Sequence, residues 1–176
     1  MRPALLPLAL PLLVLAGCQT LDTASTERVG QATLRLGNGS PAGTAQLMAS
    51  GSHVTITIAA AGLAPGTHGA HLHMKGSCEG PDFTSAGGHL NPGMKQHGSE
   101  NPAGSHLGDL PNLVIGNSGA GTVSATLPGT REEVLSHIFD ADGTAVVIHA
   151  DADDYRTDPA GNAGGRIACG VLLMPA

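Results

Sequence analysis

The chain has 176 residues, with 9 histidines, 26 glycines, only 2% aromatic residues and a formal net charge of −6. That length supports one domain with a sizeable core and is short for two. The acidic balance, the absence of a basic patch and the scarcity of stacking rings exclude nucleic-acid binding.

The first segment, MRPALLPLALPLLVLAGCQT, sets Arg2 before an uncharged leucine-rich run and ends on Leu15-Ala16-Gly17-Cys18. Residues 1–17 therefore read as an export signal. The run is shorter than the ~20 residues of a spanning helix and is interrupted by Pro7 and Pro11, which argues against a stable membrane span. Its end resembles the lipobox of bacterial lipoproteins, which implies a lipid anchor on Cys18, a membrane partner and an exported chain facing the periplasm or the cell exterior. An ordinary signal peptide ending near a cysteine is the alternative, and export follows from both. Residues 18–27 then form a lipidated flexible tether, small and polar over TLDTASTE. Residues 28–176 form the domain, with folded structure expected to begin near Val29. Setting Cys18 aside leaves Cys78 and Cys169, an even pair in an oxidising setting. They predict a disulfide closing a loop of about 90 residues, with two free buried thiols as the alternative.

From Val29 onward the chain shows short runs with two-residue alternation: VGQATLRL, TAQLMAS, then HVTITIAA with Val54, Ile56 and Ile58 on one face. GAHLHM, NLVIGN, GTVSATLP, TAVVIHA and RIACGVLLM follow, each bounded by turn-forming residues. TREEVLSHIF is the nearest approach to a helical period, with Thr130 as a candidate cap and Val134 and Ile138 spaced for one short turn. The pattern predicts an all-β domain of about eight strands, sandwich or barrel. Residues 76–112 and 150–165 break it as long Gly, Pro, Asn and Asp-rich connections, which in compact domains are usually functional.

Chemistry concentrates in these places. His71 and His73 lie two apart in a strand-like run, so both imidazoles point to one face. The long connection adds His89, His97 and His106, with Asp109 beyond them: three imidazoles and a carboxylate form a complete tetrahedral zinc set. His149 ends the run VVIH and can bring a further nitrogen to the first pair.

The motifs GTHGAHLH, AGGHLNP, HLGDLPN, VVIHADADD and GNAGGRIACGV, in that order, resemble the successive signatures of the copper/zinc superoxide dismutases. The resemblance implies an eight-stranded Greek-key barrel with two long functional loops, and one copper and one zinc ion per subunit. It implies copper ligands His71, His73, His89 and His149, and zinc ligands His89, His97, His106 and Asp109, with the His89 imidazole bridging the ions. Asp153 matches a carboxylate that ties His71 to His97, and His68 matches a structural histidine that is not a ligand. Arg166 matches the arginine beside the copper site, held near it by the Cys78–Cys169 segment. The implied activity is dismutation of superoxide to dioxygen and hydrogen peroxide by alternate reduction and oxidation of copper, with His89 carrying a proton and Arg166 docking the anion. Lys75, Lys95 and Arg156 are candidate contributors to a local positive funnel in an otherwise acidic chain. His53 and His137 match no motif and read as surface residues.

Two features depart from the family pattern. Ala70 stands where an aromatic residue usually precedes the copper pair, and DADDYRTDPAGN is acidic where many members carry lysines. A rival reading is a lipid-anchored extracytoplasmic copper and zinc buffer without turnover, which would need neither Arg166 nor a shared histidine. A second copy of the chain is a candidate partner, since bacterial members include monomers and dimers.

Overall fold

The computed structural model describes residues 25–175. The export segment, Cys18 and the tether up to Ala24 lie outside the described residues. Alternation turns the first three runs into an antiparallel meander: β1 (Thr26–Leu36), β2 (Pro41–Ser50) and β3 (His53–Ala61). In β3, Val54, Ile56, Ile58 and Ala60 are buried while the residues between them face outward. β1 begins at Thr26, ahead of Val29, because Thr26, Glu27 and Arg28 pair with Ser50, Ala49 and Met48. Backbone pairing needs no apolar side chain, so this extension left no hydrophobic signal.

The remaining strands are β4 (Gly66–His68), β5 (Ala70–His73), β6 (Leu113–Ile115), β7 (Ala120–Thr126), β8 (Ala145–His149) and β9 (Arg166–Val171). Seven of them form one curled antiparallel sheet in the order β5-β8-β9-β1-β2-β3-β7, and β4 pairs with β6. β4 leads into β5 across Gly69, and β6 joins β7 by a turn in which Gly116 N–H donates to the Ala120 carbonyl. The small ribbon thus links the two edges of the sheet, and the crossing from β3 to β5 with the return to β7 gives Greek-key connectivity. β4 is additional to the expected strands; three residues carry no alternation to read.

One face of the sheet encloses a core that includes Leu34, Leu47, Ile56, Ile58, Leu72 and Ile148. Burying each such side chain is worth roughly 1.5–3 kcal/mol. β8 is buried on both faces: Val146 and Ile148 meet this core, while Ala145 and Val147 pack with Phe83, Ala86, Cys78 and Cys169 beneath the long connection after β5. The Cys78–Cys169 disulfide forms, with Cα atoms 5.7 Å apart, and fastens that connection to β9. The segment Arg131–Ile138 is an eight-residue helix, α1, longer than the single turn expected. A reciprocal Thr130–Glu133 capping box stabilises its start, and Val134 and Ile138 anchor it on the barrel.

Candidate metal centre

Antiparallel register places His71 opposite Val147 and His73 opposite Ala145, on the face covered by the long connection. β5 is an edge strand, and that connection lies along its free side. Leu72 N–H donates to the Gly108 carbonyl (2.9 Å), Leu90 N–H to the Leu72 carbonyl (2.8 Å) and Gly108 N–H to the Leu90 carbonyl (2.9 Å). His89 becomes the bridge partner of His73, and Asp109 that of His71. Position 108 must be glycine, since a Cβ there would overlap the Leu72 carbonyl oxygen.

One ring nitrogen from each of His71, His73, His89 and His149 lies within 4.8 Å of the others. The four residues are at most 8% exposed. His71 Nδ1, His73 Nε2, His89 Nε2 and His149 Nε2 are all buried without a hydrogen-bond partner. Unpartnered buried polar atoms are costly and rare, so four converging on one point form a cradle for a cation that accepts nitrogen donors. The opposite nitrogens of three rings are oriented by oxygens: His73 Nδ1 by Gly87 O (2.9 Å), His149 Nδ1 by Gly164 O (3.2 Å) and His71 Nε2 by Asp153 Oδ2 (2.8 Å). Burial pushes the His73 imidazole down to about 2 and the His149 imidazole down to about 3, reinforced in both by neighbouring histidines. Burial also lowers His89 to about 4, against the pull of Asp109. These rings are neutral at pH 7, as nitrogen ligands must be.

The other nitrogen of His89 faces a second cluster. Asp109 Oδ1 lies 3.0 Å from His89 Nδ1, 3.0 Å from His97 Nδ1 and 3.1 Å from His106 Nδ1, and the His89 and His106 Nδ1 atoms are 3.4 Å apart. Four ligands about 2.0 Å from a tetrahedral zinc ion stand roughly 3.3 Å from one another, so these separations suit such an ion. His97 Nδ1 is close to Asp109 Oδ1 yet lacks hydrogen-bond alignment, as expected if both aim at a common point. His71, His89, His97 and Asp109 also cluster within 4.8 Å. The His71 Nε2 atom in that group is engaged with Asp153 and its free Nδ1 belongs to the first cradle, so His106 is the better fourth member. Burial opposes the Asp109 charge, but the hydrogen bond from His89, the adjacent His97 ring and two backbone N–H groups outweigh it and hold the carboxyl well below its usual range. Burial likewise opposes protonation of His97, but Asp109 and Asp153 raise that imidazole to about 9.

Asp153 joins the clusters: Oδ2 faces His71 Nε2 (2.8 Å) and Oδ1 faces His97 Nε2 (2.9 Å). His68 turns both ring nitrogens to carbonyl oxygens, of His149 (2.8 Å) and Ala64 (3.0 Å), which leaves neither for a metal. A cleft of about 400 Å³ opens on the first cradle, lined among others by His73, His89, His149, Lys95, Asp158 and Arg166. The Arg166 guanidinium is fixed at its edge, donating to the Phe83 carbonyl (2.7 Å) and the Gly87 carbonyl (2.6 Å). Of the other cations expected there, Lys95 lines the cleft. Lys75 is exposed outside it, and Arg156 is instead paired with Glu100 (2.6 Å), a contact that charge counting along the chain does not reveal. His53 is exposed and His137 half-buried on α1, both away from the cradle. Ala70 is fully buried in the barrel core. Sequence reasoning missed Asn112 and Tyr155, which hold Asp153 from behind. No spacing signal marks them.

A family model described as copper/zinc superoxide dismutase (SODC) matches residues 41–172. The chain is 51% identical over 121 residues to the superoxide dismutase-like protein YojM of Bacillus subtilis, a match spanning 67% of this chain and 62% of that protein. It is 43% identical over 164 residues to superoxide dismutase [Cu-Zn] 2 of Aquifex aeolicus, spanning 90% of this chain and 96% of the relative. The crystal structure of a SOD-like protein from Bacillus subtilis superposes with a TM-score of 0.77 at 42% identity, over 84% of this chain and 100% of that one.

Proposed function

The chain belongs to the copper/zinc superoxide dismutase family, and from that premise we propose that it dismutates superoxide to dioxygen and hydrogen peroxide, using one copper and one zinc ion. His71, His73, His89 and His149 would hold copper; His89, His97, His106 and Asp109 would hold zinc. When bound, copper supplies the one-electron redox chemistry and zinc a fixed positive charge beside it. One observation carries this reading: His89 turns Nδ1 to the carboxylate-bearing cluster and Nε2, buried and unpartnered, to the four-nitrogen cradle. A metal buffer gains nothing from an imidazole divided between two sites.

The chain's own residues supply the rest. His89 Nε2 is the atom at which a proton can be held and released next to the cleft, while Nδ1 stays with Asp109. Arg166 uses one N–H of each terminal nitrogen on backbone carbonyls, and its remaining donors can dock a small anion. The net charge of −6 opposes an anionic substrate, so attraction must be local. Arg166 and Lys95 provide it, with Asp158 acting against them. Dismutation consumes two superoxides and two protons and yields one dioxygen and one hydrogen peroxide. The disulfide fits an oxidising compartment; export with lipidation at Cys18 completes the proposal. The test joins elemental analysis to a superoxide decay assay on protein supplied with both metals. The expected result is one copper and one zinc per chain with turnover abolished by chelation of copper. Two bound metals without turnover would favour the buffer, and absence of metal would defeat both.

A further inference from the structure

Tyr155 adopts a left-handed backbone conformation, φ 62°, which costs a non-glycine residue on the order of 1 kcal/mol. Three hydrogen bonds hold it there, and each leads to a different part of the metal centre. Its backbone N–H donates to Asp153 Oδ1 (2.7 Å), the oxygen that also faces His97. Its carbonyl accepts from the Glu100 N–H (3.0 Å), in the segment just after His97. Its phenolic oxygen accepts from the Asn112 N–H (2.8 Å), in the segment just after Asp109. The Asn112 side chain closes the ring, donating from Nδ2 to the Asp153 carbonyl (2.9 Å) and accepting at Oδ1 from the Asp153 N–H (2.9 Å). Gly98, next to His97, lies so close to the Tyr155 carbonyl that any Cβ would overlap it. The two long connections therefore meet at one residue.

We propose that Tyr155 is a positioning residue for both metal sites: its hydroxyl, amide and carbonyl lock the two long connections together and so aim the Asp153 carboxylate at His71 and His97. The proposal rests on the metal-binding assignment above. Without the phenolic oxygen, Asn112 N–H loses its acceptor, the Asn112 clamp on Asp153 loosens, and the carboxylate no longer orients either ring. Removal of groups that orient ligands commonly lowers metal affinity by 10–100-fold. Tyr155 acts one step further back, so the lower end of that range applies.

The experiment compares the parent with Tyr155→Phe, which keeps the ring and removes only the hydroxyl, and with Tyr155→Leu. Zinc affinity is measured by competition with a chromophoric chelator, and the copper site by the visible absorption of the Cu(II)-loaded protein. The expected result is zinc binding about tenfold weaker in Tyr155→Phe, weaker again in Tyr155→Leu, and a displaced Cu(II) band. A Tyr155→Phe protein whose zinc affinity stays within twofold of the parent, with an unmoved band, overturns the proposal whatever its melting temperature. A parent chain that binds neither metal would instead overturn the metal-site assignment itself.

Discussion

Replacing Cys78 and Cys169 together by alanine removes a link between residues separated by 91 positions. In the chain-entropy account, closing a loop of 91 residues stabilises by about 4.6 kcal/mol at 25 °C when the native state is free of strain. In a domain of this size each kcal/mol moves the melting temperature by about 2–4 °C, so the variant should melt roughly 9–18 °C lower. The link also has a functional side. It fastens the segment whose Phe83 and Gly87 carbonyls hold Arg166, and the Gly87 carbonyl orients His73 as well. The double variant should therefore bind a small anion less tightly even at temperatures where it is fully folded. Urea unfolding gives the first quantity, and azide titration of the Cu(II)-loaded protein, followed by absorption, gives the second. A stability loss below about 1 kcal/mol together with unchanged azide affinity would refute both the entropic ledger and the role given to the stapled segment.

Charge reversal in Arg166→Glu should lower the rate of superoxide consumption by at least about tenfold, since a docking cation is replaced by a repelling carboxylate. Copper and zinc content should not change; unchanged activity in the metal-loaded variant would remove Arg166 from anion docking. The metal-free protein should lose stability on acidification. His73, His89 and His149 are held by burial at about 2, 4 and 3, below the ordinary histidine value of about 6.5. The unfolded chain therefore binds more protons, and the contribution of these rings, complete above about 6.5, is lost as the pH falls through their folded values. His97, raised to about 9 despite its burial by Asp109 and Asp153, works in the opposite sense: its contribution is complete below about 6.5 and is lost as the pH rises through 9. Denaturant midpoints of chelator-treated protein at pH 7 and pH 5 test the balance, and a higher midpoint at pH 5 would contradict it.

The strands were legible where one face is apolar. Val54, Ile56 and Ile58 alternate with threonines, and the structure buries the first set and leaves the second half-buried on the outer face. The same alternation set His71 and His73 on one face, so half of the four-nitrogen cradle could be read from a spacing of two. His149 could be read as a strand-end nitrogen able to join that pair, but the placing of His89, and of Asp109 in the second cluster, could not. His89 and Asp109 reach β5 only because two separate stretches of the long connection pair with its edge through Leu72, Leu90 and Gly108, and such pairing depends on tertiary contacts that no local period encodes. Arg156 illustrates the converse: counted along the chain it is a free cation, yet Glu100, 56 positions away, pairs with it.

The unequal legibility follows from how the site divides its labour. β5 and β8 supply His71, His73 and His149 from a sheet whose register is fixed by the buried core, where a one-residue slip would turn every inward side chain outward. The two connections supply the remaining proposed ligands and their supports, and they contain the described non-glycine residues in the left-handed region, Phe83, Met94, Tyr155 and Asn162. Such conformations persist only where surrounding contacts over-determine them. For two of the four the contacts lead to the metal centre: the Phe83 carbonyl accepts from Arg166, and the Tyr155 N–H donates to the Asp153 carboxylate. The barrel thus provides a rigid wall that a periodic sequence can specify. The facing wall is built from irregular backbone, held in place by the same polar groups that orient the histidines.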